Sequence, residues 1–326
     1  MTRRVLITGG AGFIGSHVCD LFLARGYAVD VIDDLSSGKR ENVPNEATLH
    51  VVDVRSPEAA TLVARGEYDA ILHFAAQMDV RRSVADPLFD ASVNIIGTLS
   101  LLEALRATPR SRATRFIFIS TGGAVYGDLA NPPNAEVTPK EPDSPYAISK
   151  LSAEYYMSYA ARIHGMDTAA LRFANVYGPR QDAHGEAGVV AIFCGRILDG
   201  QALRVFGDGT QTRDYVYVGD VAESVFKVAT VALPPRGGVD ARAFNIGTGV
   251  ETSVLDLAQH LREQTGSDVL LELLPKRPGE QQRSVLRVDK ARTVLGWAPT
   301  TSLSEGLRRT YEWFAARRSV TGPTRP

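Results

Sequence analysis

The sequence lacks the features that mark disulfide-rich, metal-binding and nucleic-acid-binding proteins. Its only two cysteines, Cys19 and Cys194, lie far apart and outside any CxxC or metal-ligand spacing. They predict two buried, reduced thiols and no metal site. The formal net charge of -1 gives no electrostatic reason to expect nucleic acid or an anionic membrane as a partner.

Long apolar runs are also missing. No window approaches 18 uninterrupted apolar residues, so we expect no membrane-spanning segment. The opening MTRRVLITGG has basic residues, then a short apolar run and glycines, which predicts a strand and not a signal peptide. Together these absences predict a cytoplasmic globular protein.

What is present is an alternation of strands and helices. Short β-branched runs predict buried strands at RRVLITG, AVDVID, ATLHVVDV, AILHFAA and RFIFIS, and TAALRFANVYG predicts a sixth. Apolar-periodic segments such as residues 14–25 and 94–106 lie between them. This order favours an α/β fold with a doubly wound, Rossmann-like parallel sheet.

Beyond Pro179 the pattern loosens into shorter elements and a Pro/Gly-rich excursion. AFNIGTG predicts a return to the main sheet. We therefore expect a smaller C-terminal substrate lobe beside the dinucleotide-binding domain. The expected boundaries are 1–178 for the Rossmann domain, completed by about 215–250, then 179–214 and 251–318 for the lobe, and 319–326 for a tail.

The segment LITGGAGFIGSHV joins the first strand to the first helix. It holds Gly10, Gly12 and Gly15 at G-x-G-x-x-G spacing, and Gly9, Gly12 and Gly15 at G-x-x-G-x-x-G spacing. Glycine is needed where a turn takes unusual dihedrals and where the backbone approaches a pyrophosphate, which then meets helix N-terminal amides. Strand, turn and helix in this order predict a dinucleotide site.

Two aspartates end the next strands. Asp33 follows the glycines at close to the expected spacing of about 20 residues, where a carboxylate would accept from a ribose diol and repel a 2′-phosphate. It therefore favours NAD, although Lys39 and Arg40 nearby keep NADP open. Asp53 ends the third strand in VVDV and either accepts from the adenine amino group or is a simple turn residue.

The stretch SPYAISK places Tyr146 and Lys150 on one helix face at i and i+4. In a doubly wound sheet this helix, HFAAQMDV and STGGAVYG would meet at the carboxyl ends of the strands. A free tyrosine has a pKa of about 10, and a nearby lysine and a positive nicotinamide would lower it. Tyr146 is thus a candidate base, with Lys150 and the Thr121 hydroxyl beside it.

At this point the sequence resembles a known family. The strings TGGAGFIGSH, DDLSSGKREN, HFAAQ, STGGAVYG, YAISK, NVYGPRQ, FGDGTQTRDYVYVGD, NIGTG, RPGE and LGW resemble an extended short-chain dehydrogenase/reductase, within it a nucleotide-sugar 4-epimerase of the UDP-glucose/UDP-galactose type. The resemblance implies a tightly held NAD that is reduced and reoxidised within one turnover. Tyr146 would take the proton of the sugar 4-hydroxyl, and the transient 4-keto sugar would turn over and regain the hydride on its other face. Lys150 would also bond the nicotinamide ribose.

The resemblance also implies two sets of binding residues. Those that match cofactor positions, besides Tyr146 and Lys150, are Gly9, Gly12, Phe13, Ile14, Gly15, Asp33, Asp34, Leu35, Ser36, Ser37, Gly38, Asp53, Val54, Phe74, Ala75, Gln77 and Asn94. Those that match UDP-sugar positions are Asn175, Val189, Arg204, Phe206, Arg213, Arg277 and Glu280. Guanidinium forks such as those of Arg213 and Arg277 suit a diphosphate.

The sequence departs from the family in two places. The family usually has Ser or Thr three residues before the valine of VYG, where this chain has Gly122. Either Thr121 takes the role through a local shift or water fills it, and Thr121 is favoured. Ser284 stands where members restricted to non-acetylated sugars tend to carry tyrosine, so UDP-N-acetylhexosamines are also expected substrates.

Other functions stay open. A different NAD-dependent nucleotide-sugar 4-epimerase or a dehydratase, acting on a uronate, pentose or dTDP-sugar, shares this fold. A dehydratase needs an acid pair after the catalytic threonine, where Gly122 and Gly123 stand. A simple dehydrogenase or a non-catalytic dinucleotide sensor are further alternatives. The resemblance also implies a homodimer through helices near 94–106 and 149–164.

Overall fold

The computed structural model describes residues 2–128, 131–183, 188–276 and 281–321. Within these ranges, the strands of the main sheet are β1 (Arg4–Thr8), β2 (Ala28–Asp33), β3 (Thr48–Val51), β4 (Ala70–His73), β5 (Arg115–Thr121), β6 (Asp167–Phe173) and β11 (Ala243–Ile246). All seven are parallel, in the order β11-β6-β5-β4-β1-β2-β3. The strand order reverses between β1 and β4, which is the mark of a doubly wound, Rossmann-like sheet, so the predicted fold class is confirmed.

Helices cover both faces of this sheet because successive strand residues point to opposite sides. The helices are α1 (Phe13–Ala24), α2 (Pro57–Arg65), α3 (Val80–Ala85), α4 (Pro87–Ala91), α5 (Thr98–Arg106), α6 (Pro145–His164), α7 (Val189–Leu198), α8 (Val218–Thr230), α9 (Val254–Thr265), α10 (Asp289–Leu295) and α11 (Leu303–Thr321). Val5 and Ile7 of β1 pack with α1, α8 and α10, whereas Leu6 packs with α2, α5 and α6.

The predicted sixth strand is two strands in the structure. After β6, Ala174 N–H donates to Ile246 O of β11, but Asn175 N–H donates to Asp214 O. The chain therefore changes partners and leaves the main sheet. Short strands then make three small sheets: β7 (Asn175–Tyr177) with β10 (Tyr215–Tyr217), β8 (Leu203–Phe206) with β13 (Leu271–Leu274), and β9 (Thr212–Arg213) between β12 (Thr252–Ser253) and β14 (Arg283–Ser284).

The later segments have a core of their own, formed by buried residues of α7, β10, α9 and α11. One part of them belongs elsewhere: Ala291, Leu295 and Trp297 pack in the same core as Val5 and Ile7, although they fall within the lobe predicted at 251–318. The division of the chain into two domains stays a prediction.

The helical run Pro87–Arg106 is long and apolar enough, by length and composition, to cross a membrane. The sequence criterion of uninterrupted apolar residues missed it because polar and charged residues, among them Asp90 and Glu103, interrupt the run. Leu101, Leu102 and Leu105 are buried in the core against the sheet, and a core helix passes the same test. The run is α4, one π turn at Ser92–Gly97, and α5.

Both cysteines are buried and free, as the sequence predicts. Cys19 lies on α1 and Cys194 on α7.

Candidate active site

The glycine turn is shaped by backbone packing. A Cβ atom on Gly15 would lie 2.2 Å from Gly9 O, and one on Gly9, which has φ +71°, would lie 2.6 Å from Ala75 N. No other residue fits these two positions without moving the backbone. Gly12 is the N-cap of α1 and has no side chain to cap the first-turn amides. This turn therefore presents bare backbone N–H groups at a helix N-terminus, the arrangement that binds phosphate.

Asp33 is joined to this turn. Its Oδ2 accepts from Ala11 N–H and its Oδ1 from Leu35 N–H, both at 2.9 Å. Burial raises the pKa of the Asp33 carboxyl, and the two amide hydrogen bonds oppose that rise. Asp53 is instead engaged by Arg55, whose guanidinium lowers the pKa of that carboxyl, so the predicted adenine acceptor already has a cationic partner.

The other predicted cofactor residues follow the strand ends. Asp34 Oδ1 accepts from both the N–H and the hydroxyl of Ser36, which holds the turn after β2. Leu35 has φ +59° there, an uncommon conformation for a side chain of this kind. Asp34, Ser36 and Ser37 are exposed, Val54, Gln77 and Asn94 are buried, and Phe13, Ile14, Leu35, Gly38, Phe74 and Ala75 are half-buried.

The helix that carries Tyr146 and Lys150 begins within the SPYAISK stretch. Ser144 caps it by accepting from Ala147 N–H at 3.2 Å, and Pro145 takes the first helical position, where its missing N–H costs nothing. Lys150 is buried, and its Nζ donates to Ile119 O of β5 at 2.9 Å. The same Nζ lies 5.9 Å from the centre of the Tyr146 ring.

The pKa of Tyr146 differs in direction from the sequence expectation. Burial raises it, and the negative charge of Asp90 raises it further. Burial also lowers the pKa of Lys150 to about 8, although Asp90 and Glu154 oppose that effect. For both groups, burial is therefore the largest effect on the pKa in the protein alone.

Three of the predicted site residues converge on Gly123. A Cβ atom built there would lie 3.8 Å from Asn175 Oδ1 and 3.9 Å from Thr121 Oγ1. It would lie 4.0 Å from Ser284 Oγ. Thr121 ends β5, Asn175 begins β7 and Ser284 ends β14, so three distant chain segments place neutral polar atoms around one bare Cα.

Gly122 lies on the other side of this segment. A Cβ atom there would lie 2.5 Å from Leu286 Cδ1 and 3.1 Å from Arg172 O. A hydroxyl-bearing side chain would therefore enter the packed interior and not the space at Gly123. The structure places the Thr121 hydroxyl, and not the Gly122 position, beside Asn175 and Ser284.

The remaining predicted substrate residues fall into two groups. Arg213 is the register partner of Ser284, and its Nη1 donates to Thr212 O. Arg204 lies on the separate β8–β13 sheet, where it pairs with Glu272. Phe206 ends β8 and Val189 begins α7. Arg277 and Glu280 lie outside the described residues.

A cluster that the sequence did not reveal lies beside the Tyr146 helix. We call Gln77, Asp90 and Asn94 the Asp90 cluster. Asp90 Oδ2 accepts from Gln77 Nε2 at 2.9 Å and from Asn94 Nδ2 at 3.0 Å. The second amide hydrogens go to Asp79 O and Gln77 O, so both side chains spend their donors within the protein. Only the i, i+4 spacing of Asp90 and Asn94 could have hinted at this contact.

His73, at the end of β4, is a second residue that the sequence did not single out. Thr98 Oγ1 donates to Asn94 O at 2.7 Å, so it must accept from His73 Nε2–H at 3.0 Å. The other ring nitrogen, Nδ1, then accepts from the Thr8 hydroxyl at 2.6 Å. Burial, with the charge of Lys150, lowers the pKa of His73 to about 3. His73 is therefore neutral and connects Thr8 of β1 to Thr98 at the start of α5, with its tautomer fixed by these two neighbours.

Comparison with known proteins gives matches along nearly the whole chain. A family model described as GDP-mannose 4,6 dehydratase matches residues 6–310. A UDP-glucose 4-epimerase of Mycolicibacterium smegmatis is 43% identical over 316 residues, which are 95% of this chain and 98% of that protein.

Two solved structures are similarly close. The UDP-glucose 4-epimerase of Thermotoga maritima, with UDP-glucose, has a TM-score of 0.90 at 44% identity and covers 96% of this chain and 99% of its own. The UDP-glucose 4-epimerase of Thermus thermophilus, in complex with NAD, has a TM-score of 0.86 at 42% identity, with coverage of 96% and 99%. The similarity therefore includes both the sheet and the later segments.

Proposed function

The chain belongs to the GDP-mannose 4,6 dehydratase family of extended short-chain dehydrogenases/reductases, and we propose that it is an NAD-dependent epimerase that inverts C4 of a UDP-hexose. It would interconvert UDP-galactose and UDP-glucose through a transient 4-keto sugar. The convergence of Thr121, Asn175 and Ser284 on Gly123, next to the helix that carries Tyr146 and Lys150, supports this activity. Similarity to UDP-glucose 4-epimerases over nearly the full length supports the substrate.

The residues at the glycine turn fit NAD. Gly9 and Gly15 leave room only for backbone, the first turn of α1 offers N–H groups to the pyrophosphate, and Asp33 keeps acceptor capacity for a ribose diol beyond its two amide bonds. We assign the cofactor contacts to the set predicted from the sequence. When bound, NAD supplies an acceptor for the C4 hydride and returns that hydride to the opposite face of the sugar.

Tyr146 is the general base and acid for the proton of the sugar 4-hydroxyl. Its phenolate would take the proton of the 4-hydroxyl as C4 is oxidised and would return it when the ketone is reduced. Burial opposes the phenolate, so the positive charges of Lys150 and of the oxidised nicotinamide ring are required to favour it. The Thr121 hydroxyl would hydrogen-bond the same sugar oxygen.

Arg213 would bind the diphosphate, because a guanidinium presents paired donors to phosphate oxygens. Its strand neighbour Ser284 lies beside the sugar space. Since a serine leaves volume there, the chain is also expected to epimerise UDP-N-acetylhexosamines. A Ser284→Tyr variant should lose more activity with UDP-N-acetylgalactosamine than with UDP-galactose. An unchanged ratio of the two rates would contradict the assignment.

The direct test is conversion of UDP-galactose to UDP-glucose by the purified protein without added reductant. The wild type should convert it with no net change in nicotinamide absorbance. Tyr146→Phe removes one hydroxyl and should lower turnover by about 10² to 10⁴-fold, the usual contribution of a general base. Tyr155→Phe, a matched change at an exposed tyrosine of the same helix, should retain turnover. Equal activity of the wild type and Tyr146→Phe would rule out the mechanism.

A dehydratase is the second candidate because the family model carries that description. Such an enzyme eliminates water with an acid pair after its threonine, and this chain has Gly122 and Gly123 there. The same assay separates the two, since a dehydratase would release a 4-keto-6-deoxy sugar instead of an epimer. A non-catalytic sensor would give neither product.

We also propose that a second copy of the chain covers an exposed apolar face. Ile96 beside α5, and Tyr155, Tyr156, Tyr159 and Ile163 on α6, are all more than 40% exposed, which is unusual for large apolar side chains at such density. They lie on the helices for which the family resemblance implies a homodimer. Sedimentation should give a dimer for the wild type and a monomer for the double variant Tyr155→Glu, Ile163→Glu.

The division of the chain into two domains and a cytoplasmic location stay predictions.

A further inference from the structure

Asp90 of α4 is a buried acid that the proposed chemistry does not use. Its side chain has no exposed surface. Oδ2 accepts from the neutral amides of Gln77 and Asn94, while Oδ1 is buried with no hydrogen-bond partner among the described residues. No lysine or arginine of the described ranges forms an ion pair with it. A buried carboxylate without a cation is costly unless a charge nearby compensates it.

Lys150 is the cation whose pKa the charge of Asp90 raises. Helix α6, which carries Lys150, packs against α4. The ammonium is buried and has Ile119 O as a hydrogen-bond acceptor. Asp90 is the largest of the charges that hold up the pKa of Lys150 against burial, and it also raises the pKa of Tyr146. Both reacting groups therefore feel this one carboxylate.

The other charged groups around Lys150 are already accounted for. Glu154, one helical turn further on α6, is paired with the buried Arg172 of β6. His73 of β4 is neutral because burial keeps its pKa near 3. The charged side chains of α3 and α5, which also pack on α6, are exposed to solvent: Arg81, Arg82, Glu103 and Arg106.

We infer that Asp90 is a positioning residue of the active site with two roles: it fixes the Gln77 loop to the π turn through the Asp90 cluster, and it is the counter-charge that keeps Lys150 an ammonium beside Tyr146. This inference deepens the proposed function and rests on it. Asp90 touches neither substrate nor cofactor in this view. It acts through the two side chains that do.

Asp90→Asn keeps the shape of the side chain and removes its charge. Without that charge, the phenolate of Tyr146 gains stability and the ammonium of Lys150 loses it, so the pKa of each group falls. Both limbs of the pH profile for UDP-galactose conversion should therefore move to lower pH together, by about one unit. Relative to wild type, the variant should be slowest above pH 8. A purely structural role would lower turnover by one factor at every pH and leave both limbs in place.

Three further variants test this interpretation. Asp90→Glu retains the charge and should keep the wild-type limbs even if turnover drops. Asp30→Asn removes another buried acid, on β2, which accepts a hydrogen bond from Tyr68 and pairs with Arg4. This variant should not move either limb of the pH profile. If Asp90→Asn fails to fold, Asp90→Ser deletes the same charge with a smaller side chain. A folded Asp90→Ser with wild-type limbs would overturn the inference.

Lys150 can also be titrated without turnover. In protein labelled with ¹³C-lysine, the Cε resonance absent from Lys150→Met identifies this residue. Its midpoint should be lower in Asp90→Asn than in wild type and unchanged in Asp30→Asn. An unaltered Lys150 midpoint refutes the counter-charge role. If the wild type folds but converts no UDP-galactose, the proposed function fails instead, and this titration still decides the role of Asp90.

Discussion

The dinucleotide end and the sugar end of the site differ in what shapes them. At the dinucleotide end the shape comes from backbone, since a Cβ atom on Gly15 would lie 2.2 Å from Gly9 O. At the sugar end it comes from side chains: a Cβ atom on Gly123 would meet only polar side-chain atoms, at 3.8 to 4.0 Å. The first end cannot accept a side chain without moving the main chain, whereas the second has ordinary van der Waals room.

The sugar end therefore depends on long-range supports. Asp214, buried next to Arg213, accepts from Thr248 N–H, Thr248 Oγ1 and Gly249 N–H, which ties β9 to the loop after β11. Burial raises the pKa of Asp214, and these hydrogen bonds oppose that rise. Specificity can then change at the sugar end by altering side chains, while the glycine turn has to stay as it is.

The largest effect on stability should come from the buried ion pair of Arg172 and Glu154, which lies behind the Gly122–Gly123 segment. Arg172, which has no exposed surface, donates to both carboxylate oxygens of Glu154 and to Tyr126 Oη. Arg172→Met leaves Glu154 buried and uncompensated, so the free energy of unfolding should fall by about 3–5 kcal/mol in urea denaturation.

An exposed ion pair is the control for that variant. Arg25 pairs with Glu223 with side-chain exposures of 43% and 38%, and Arg25→Met should cost less than about 1 kcal/mol. Equal losses in Arg172→Met and Arg25→Met would show that burial adds nothing to the contribution of the Arg172–Glu154 pair.

The glycines test the comparison directly. Gly15→Ala forces a Cβ atom against backbone and should lower the free energy of unfolding by about 1–3 kcal/mol and abolish NAD binding in calorimetry. Gly123→Ala should keep wild-type stability but lower turnover, because the methyl group takes sugar space. Gly238→Ala, where a Cβ atom meets nothing within 4 Å, is the control. Loss of stability in Gly123→Ala would break the comparison.

His73 predicts a pH dependence at the dinucleotide end. Its folded pKa of about 3 lies below an ordinary value of about 6.5. Below pH 6.5 the unfolded chain takes up a proton that the folded chain does not, so stability falls as pH drops from 6.5 towards 3. The loss should reach about 2 kcal/mol by pH 5.

His73→Gln should remove that component, measured as the difference in urea unfolding free energy between pH 7 and pH 5. His260→Gln, at an exposed position of α9, should keep the wild-type difference. A His73→Gln variant with the full wild-type difference would mean that another group carries it.

The smallest effects should come from the serine N-caps of two helices, one in each half of the chain. Ser56 caps α2 beside the dinucleotide half, and Ser253 caps α9 in the later segments. Each change to Ala should cost about 1 kcal/mol. If the two halves unfold as one cooperative unit, both variants shift a single transition equally. A separate early transition in Ser253→Ala would instead support an independent lobe.

The same contrast explains what could be predicted from the sequence. The glycine turn, Asp33 and the Tyr146–Lys150 helix are each encoded within one short segment, and the structure forms them locally. The network of Arg172 with Glu154 and Asp240 brings together residues up to 86 positions apart, which no local pattern encodes.

The effect of burial on the Tyr146 pKa was missed for a related reason. Spacing places Lys150 near the phenol, but only the packed structure shows that burial raises the pKa of Tyr146 and lowers that of Lys150, and that the charge of Asp90 acts on both. Likewise the end of β6 was missed because the change of partner at Asn175 depends on Asp214, far along the chain.

The π turn at Ser92–Gly97 has a genetic consequence. A π turn holds one residue more than the α-helical turn it replaces, so deleting a single codon within 92–97 would let the helix close into regular geometry. The residues on the two sides would then keep nearly their present rotation about the helix axis, whereas the same deletion in a regular α-helix turns one side by about 100° relative to the other. A deletion within α5 or α6 would therefore move every residue beyond it away from its packing partners. The Ser92–Gly97 turn is the place in this helical run where the chain could lose one residue at the lowest cost, provided that Asn94, which donates to Gln77 O, is kept.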